Sequence, residues 1–141
     1  MRKVLSLLAV TLLFFSFCGC SGSGAGEPPA PKEPVRIDAG SWPQNEYTES
    51  LPQPASGFVT NGWIDETGGY CYVELSGMDR SGFDQYLSTL HDAGFSDAEN
   101  ASMEGTENLL LSSGTLTLSI TYTDGQFGMY ISKNEKNTDG I

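Results

Sequence analysis

Residues 107–133 read "ENLLLSSGTLTLSITYTDGQFGMYISK". Leu116, Leu118, Ile120 and Tyr122 alternate with Thr117, Ser119 and Thr121, a period of two that predicts a strand dry on one face and wet on the other. "SSG" at 112–114 joins this strand to the one before it. Asp124-Gly125 is a favoured two-residue hairpin turn and leads into a strand that puts Phe127, Met129 and Ile131 on one side. A meander of consecutive strands therefore organises the fold, and the rest of the chain must supply its partners and its cover.

Working back from this stretch, residues 79–95, "DRSGFDQYLSTLHDAGF", place Phe83, Leu87 and Leu90 at i, i+4 and i+7, flanked by Tyr86. That is the apolar stripe of one amphipathic helix, with Asp84, Gln85, Ser88 and Asp92 facing out. Asp79 or Ser81 can cap its start, and Gly94 suits the left-handed residue that closes a helix. Before it, "GFVTNGWID" from Gly57, the turn "ETGG" and "YCYVELSGM" form a hairpin. In its second strand Cys71, Val73 and Leu75 share one side, and Tyr70, Tyr72 and Glu74 the other. The polar stretch 96–106, "SDAENASMEGT", allows a short edge strand from Ser96 to Ser102. The expected fold over residues 57–133 is thus α+β: two layers, an antiparallel sheet of five or six strands with one helix packed on a face.

Upstream, residues 41–56 set Trp42, Tyr47 and Leu51 among Pro43, Pro52 and Pro54, which rule out a regular helix or a central strand. Large apolar side chains in an exposed linker are costly, so an extended segment docked on the domain is expected; the other reading is an arm whose aromatics meet solvent or a partner. Residues 20–40 are rich in Gly, Ser and Pro and read as a tether, spanning about 25 Å as a coil. Residues 134–141 read as a polar tail.

Residues 1–19 begin with Arg2 and Lys3, continue as an apolar run from Val4 to Phe17 and end in small residues, the layout of an export signal. The run is shorter than the roughly 20 residues a membrane-crossing helix needs. Phe17-Cys18-Gly19-Cys20 resembles the bacterial lipobox, with Phe17 where leucine is common. Cys20 is the expected lipidated first residue, because Gly19 is small and Ser21 opens the tether; Cys18 would leave with the signal. The other outcome is plain secretion after a cut near Gly22 or Ala25. After cleavage before Cys20 only Cys71 is a free thiol, which leaves neither an internal disulfide nor a cysteine zinc site.

The chain carries 7 Lys+Arg against 18 Asp+Glu, a net charge of −11 that loss of Arg2 and Lys3 takes to −13. Such a surface repels phosphate backbones and anionic lipid heads, so no nucleic acid is expected as a partner and the membrane link falls to the lipid on Cys20. No Gly-x-Ser-x-Gly elbow, His-Glu-x-x-His pair or phosphate loop is present. His91, the one histidine, falls in the last helical turn, where a cation is favoured; Cys71 falls on an apolar strand face, where thiols tend to be inert. Asp65-Glu66 and Asp97 with Glu99 are the carboxylate pairs that acid–base chemistry would draw on. The acidic stretch 97–107 invites calcium but lacks the EF-hand spacing, so neither a metal nor a cofactor is expected. Tyr70, Tyr72 and Tyr130 suit a binding surface together with Trp42, an anchor for an envelope protein or a glycan, unless their face packs under the Trp42 segment.

Trp42-Pro43, then Leu51-Pro52-Gln53-Pro54, the strand pair from Gly57, the helix closing on Ala93-Gly94-Phe95 and the final hairpin at 122–125 resemble a family of small bacterial lipoproteins of uncharacterised function. The resemblance covers residues 41–132 and implies a compact exported domain, with no activity to transfer. The expected role is a lipid-anchored, extracytoplasmic, non-enzymatic binding domain at the cell envelope. Alternatives are an envelope enzyme or accessory subunit using loop carboxylates, and ligand capture for a transporter.

Overall fold

The computed structural model describes residues 28–135; the signal, Cys20, the first part of the tether and residues 136–141 lie outside them. The chain divides into two units, Met1–Ala30 and Pro31–Ile141. Of the first, only residues 28–30 are described, and they are exposed and without regular structure.

The second unit is built on a seven-stranded sheet. Its elements are β1 (Val35–Arg36), β2 (Phe58–Asp65), β3 (Tyr70–Ser76), α1 (Arg80–Asp92), β4 (Ser96–Met103), β5 (Thr106–Ser112), β6 (Leu116–Thr123) and β7 (Gln126–Lys133). The spatial order is β1-β2-β3-β7-β6-β5-β4, antiparallel throughout. The hairpin β2–β3 comes first; α1 then carries the chain to the far edge, and the meander β4 to β7 returns until β7 pairs with β3. Asp124 and Gly125 both have positive φ, 27° and 83°, as the tight β6–β7 turn demands.

Alternation in the sequence decides the faces. In β6 the residues Leu116, Leu118, Ile120 and Tyr122 are buried and those between them are not. Cys71, Val73 and Leu75 of β3 and Phe127, Met129 and Ile131 of β7 join them on this core face. Helix α1 lies on the same face, with Phe83 stacked on Tyr122 at 4.2 Å and Tyr86 edge-on to Phe127 at 5.7 Å. Asp79 caps α1 by accepting the Gly82 N–H at 2.7 Å, and the Phe95 N–H donates to the Leu90 carbonyl in a Schellman closure.

The expected two-layer α+β fold with five or six strands is overturned: the chain is a sheet-dominated fold of seven strands with one short helix. β1 is the strand beyond the expected count. β1 forms inside the stretch read as tether, where the Val35 and Arg36 backbones pair with Ile64 and Trp63. The edge strand expected from Ser96 to Ser102 forms as β4, one residue longer, because its ladder with β5 satisfies its backbone.

The helix does not form a layer either. Its 13 residues are about 20 Å long, against about 29 Å across seven strands. The remaining core face is covered by the irregular strap 41–56, which buries Trp42, Tyr47 and Leu51. Asn45 holds the strap's bend by accepting the N–H groups of Tyr47 and Thr48 at 2.8 and 3.1 Å, and the Thr48 hydroxyl donates to the Pro43 carbonyl at 2.7 Å. Tyr86 ties it to the helix by donating to the Pro52 carbonyl at 3.1 Å.

Candidate functional site

Because helix and strap both occupy the core face, the opposite face of the sheet stays open. Register aligns one row across it: Arg36, Trp63, Tyr72, Tyr130, Ser119, Leu110 and Glu99, one residue from each strand. Trp63 and Tyr72 have ring centroids 4.5 Å apart with planes tilted by 38°; Tyr72 and Tyr130 are also 4.5 Å apart, tilted by 41°. Tyr70 flanks the row at 5.6 Å from Tyr130. These centroid distances match the strand spacing, so the rings overlap like shingles in a cross-strand aromatic ladder.

Gly128 makes room for the middle rung. A Cβ at this position would sit 3.0 Å from the Tyr72 hydroxyl, so the ring leans across the backbone of β7. Burial, then the neighbouring Glu74 and Tyr130, push the Tyr72 phenol up from its ordinary range. Tyr130 is the most open rung, 45 % exposed. On its β6 side stands Ser119, too small to cover the ring.

Beyond Tyr130 the open face sinks into a cavity of about 240 Å³ lined by Glu99, Asn108, Leu109, Leu110 and Ser119. Thr121 donates its hydroxyl to the Asn108 side-chain oxygen at 3.1 Å; among the described residues the Asn108 amide NH₂ has no hydrogen-bond partner and can donate. Glu99 arrives here through a bulge. Two residues apart on a regular strand, Asp97 and Glu99 would share a face, but the register slips between them: Asp97 pairs with Leu111 on the core side and Glu99 with Leu110 on the open side.

The four residues expected to form a binding surface are therefore divided. Tyr70, Tyr72 and Tyr130 come together, and Trp42 is buried on the opposite face. Trp63 takes its place in the ladder. The signal for Trp63 was its register with Tyr72, legible only once the β2–β3 hairpin is closed. For the cavity, the signal was the middle leucine of "LLL" at 109–111: in a strand one of three consecutive leucines must face away from its neighbours, and Leu110 does.

The other chemical candidates do not assemble. Cys71 is buried on the core face beside the Asn45 amide, 3.8 Å from its sulfur, and burial pushes the thiol up to about 11. His91 lies beside Asp97 at 3.3 Å near the β4 edge, with β7, β6 and β5 between that edge and β3. Asp65 is engaged by the Gly68 N–H of the β2–β3 turn and Glu66 by Lys32 at 2.6 Å. Stretch 97–107 is strand and hairpin rather than a loop; its Glu107 pairs with Arg80 of α1. Among the described residues no group of three or more His, Cys, Asp or Glu could hold a metal ion, and no helix is long and apolar enough to cross a membrane. No family model, no curated protein and no solved structure matches this chain.

Proposed function

We propose that this chain is a lipid-anchored, extracytoplasmic, non-enzymatic binding module of the cell envelope, related to the small bacterial lipoproteins its sequence resembles. Its partner is engaged through the open face of the sheet. The observation that carries the reading is the Trp63–Tyr72–Tyr130 ladder, standing on the face that neither helix nor strap covers. Aromatic rings held in fixed rotamers lose little entropy on binding and offer large contact area, which is why they serve as anchors. Tyr130 is exposed while Trp63 and Tyr72 are half-buried, and an aromatic row of this kind at the surface is otherwise a solubility liability. The anchor rests on Cys20 and the run before it, and the acidic surface leaves lipid as the means of membrane attachment.

The two halves of the proposal are tested separately. Metabolic labelling with a fatty acid should mark the native chain and not Cys20→Ser; an unlabelled native chain refutes the anchor. Purified full-length protein should sediment with washed envelope preparations, and Trp63→Ala/Tyr72→Ala/Tyr130→Ala should lose at least about tenfold in affinity with an unchanged circular dichroism spectrum. Undiminished sedimentation of that variant refutes the face.

A further inference from the structure

We infer that the cavity beside the Tyr130 end of the ladder binds one pyranose unit of a neutral polysaccharide; this rests on the reading of the open face as the binding surface. At about 240 Å³ the cavity is smaller than the roughly 300 Å³ at which pockets for drug-sized ligands begin, and it suits a single six-membered ring.

Its chemistry is that of a diol receptor. The Asn108 amide, turned by Thr121, presents a donor; the Glu99 carboxylate presents an acceptor; the Ser119 hydroxyl is both. Two adjacent hydroxyls of a sugar can each donate to the carboxylate side and accept from the amide side. Leu110 supplies an apolar patch in the lining, and the uncovered face of Tyr130 stands beside Ser119, where the C–H side of a pyranose can lie against it. The ladder running on through Tyr72 to Trp63 advances one strand spacing per ring, so further units of the same chain can be held in series.

Charge selects a neutral ligand. The chain's net charge of −11 and the Glu99 carboxylate in the cavity both repel phosphorylated or carboxylated polymers. Composition disfavours a protein partner at this spot. Three of the cavity's five lining residues, Glu99, Asn108 and Ser119, are charged or polar, whereas the centre of a protein–protein interface is depleted in charged residues and serine.

Titration calorimetry of the full-length protein with cellohexaose, maltohexaose, mannohexaose and chitohexaose tests this directly. At least one should bind with a dissociation constant below the millimolar range. Asn108→Ala and Tyr130→Ala should each weaken that binding about tenfold, and Glu99→Gln should weaken it by several-fold while keeping its size, with the circular dichroism spectrum unchanged. If no oligosaccharide binds at millimolar concentration while the ladder variant still loses envelope sedimentation, the sugar is refuted and the binding face stands. If sugar binds native protein and all three cavity variants alike, the cavity is refuted. If the ladder variant also sediments normally, the reading beneath it fails as well.

Discussion

Replacing Gly82 by alanine should destabilise this protein even though it improves a helix. Gly82 lies in the first turn of α1, and a Cβ there would fall 2.1 Å from the Ser56 hydroxyl oxygen and 3.2 Å from Ser56 Cβ. Its backbone is helical, so alanine meets no conformational penalty and gains up to about 1 kcal/mol in propensity. The overlap opposes this. Ser56 sits between the buried Pro54 and Gly57, whose own Cβ position is only 3.3 Å from the Ser76 carbonyl, so the loop has little room to retreat.

Overpacking of this kind costs roughly 1–3 kcal/mol, leaving Gly82→Ala about 1 kcal/mol less stable than the native chain. Ser56 adds an independent handle, because its hydroxyl is buried without a hydrogen-bond partner. Ser56→Ala should therefore stabilise by about 1 kcal/mol, and in that background Gly82→Ala should turn neutral or favourable. The coupling energy should come to about 2 kcal/mol, within the span found for residues in contact. Urea unfolding of the four proteins, followed by circular dichroism with a shared m-value, measures it. A Gly82→Ala change equally stabilising in both backgrounds, or a coupling below about 0.3 kcal/mol, would show that the first turn does not press on Ser56.

Other expectations follow from the core and the strap. Phe83→Ala should cost about 3–5 kcal/mol, since the ring is fully buried and stacked on Tyr122; in a small domain that is a large share of the total, visible as a collapse of the thermal midpoint. Trp42→Ala should free the strap more than the sheet, so residues 41–56 become protease-sensitive and Cys71 alkylates faster, with the sheet's circular dichroism retained. The Cys71 thiol has a folded value raised by burial from 9.0 to about 11, so between those values the folded state binds more protons than the unfolded one. Stability from this group is full below pH 9 and is lost as pH rises towards 11; Cys71→Ala should flatten that part of the stability–pH curve, and an unchanged slope would refute the assignment. Gly128→Ala should alter Trp63 fluorescence by retilting the ladder, because its Cβ would press on the Tyr72 hydroxyl at 3.0 Å; an unchanged emission spectrum would refute the lean of that ring across β7.

The limits of local reading show in particular residues. Thr117, Ser119 and Thr121 announced a wet face because period two is a property of any strand, whatever it pairs with. Asp79, Gly94 and Phe95 announced the ends of α1 because caps are made by neighbours in sequence. β1 did not announce itself, since two residues in a proline-rich stretch become a strand only when another strand completes their hydrogen bonds, whereas β4 forms where an edge strand was expected and runs one residue further. The facing of Glu99 was not legible for a related reason: one bulge reverses every facing after it, and nothing in "SDAEN" encodes the slip.

Taken by itself, the sequence determined the meander, the helix with its caps, the strap's need for burial and the acidic composition. Each depends on composition or on neighbours within a few residues. The tertiary structure alone decided that Trp42 belongs to the core and Trp63 to the ladder, that a helix too short for the sheet shares its cover with a strap, and that Glu99, Asn108, Ser119 and Tyr130 stand together. Those four come from four different strands, and only hydrogen-bonded register, which is a relation between distant segments, sets them side by side.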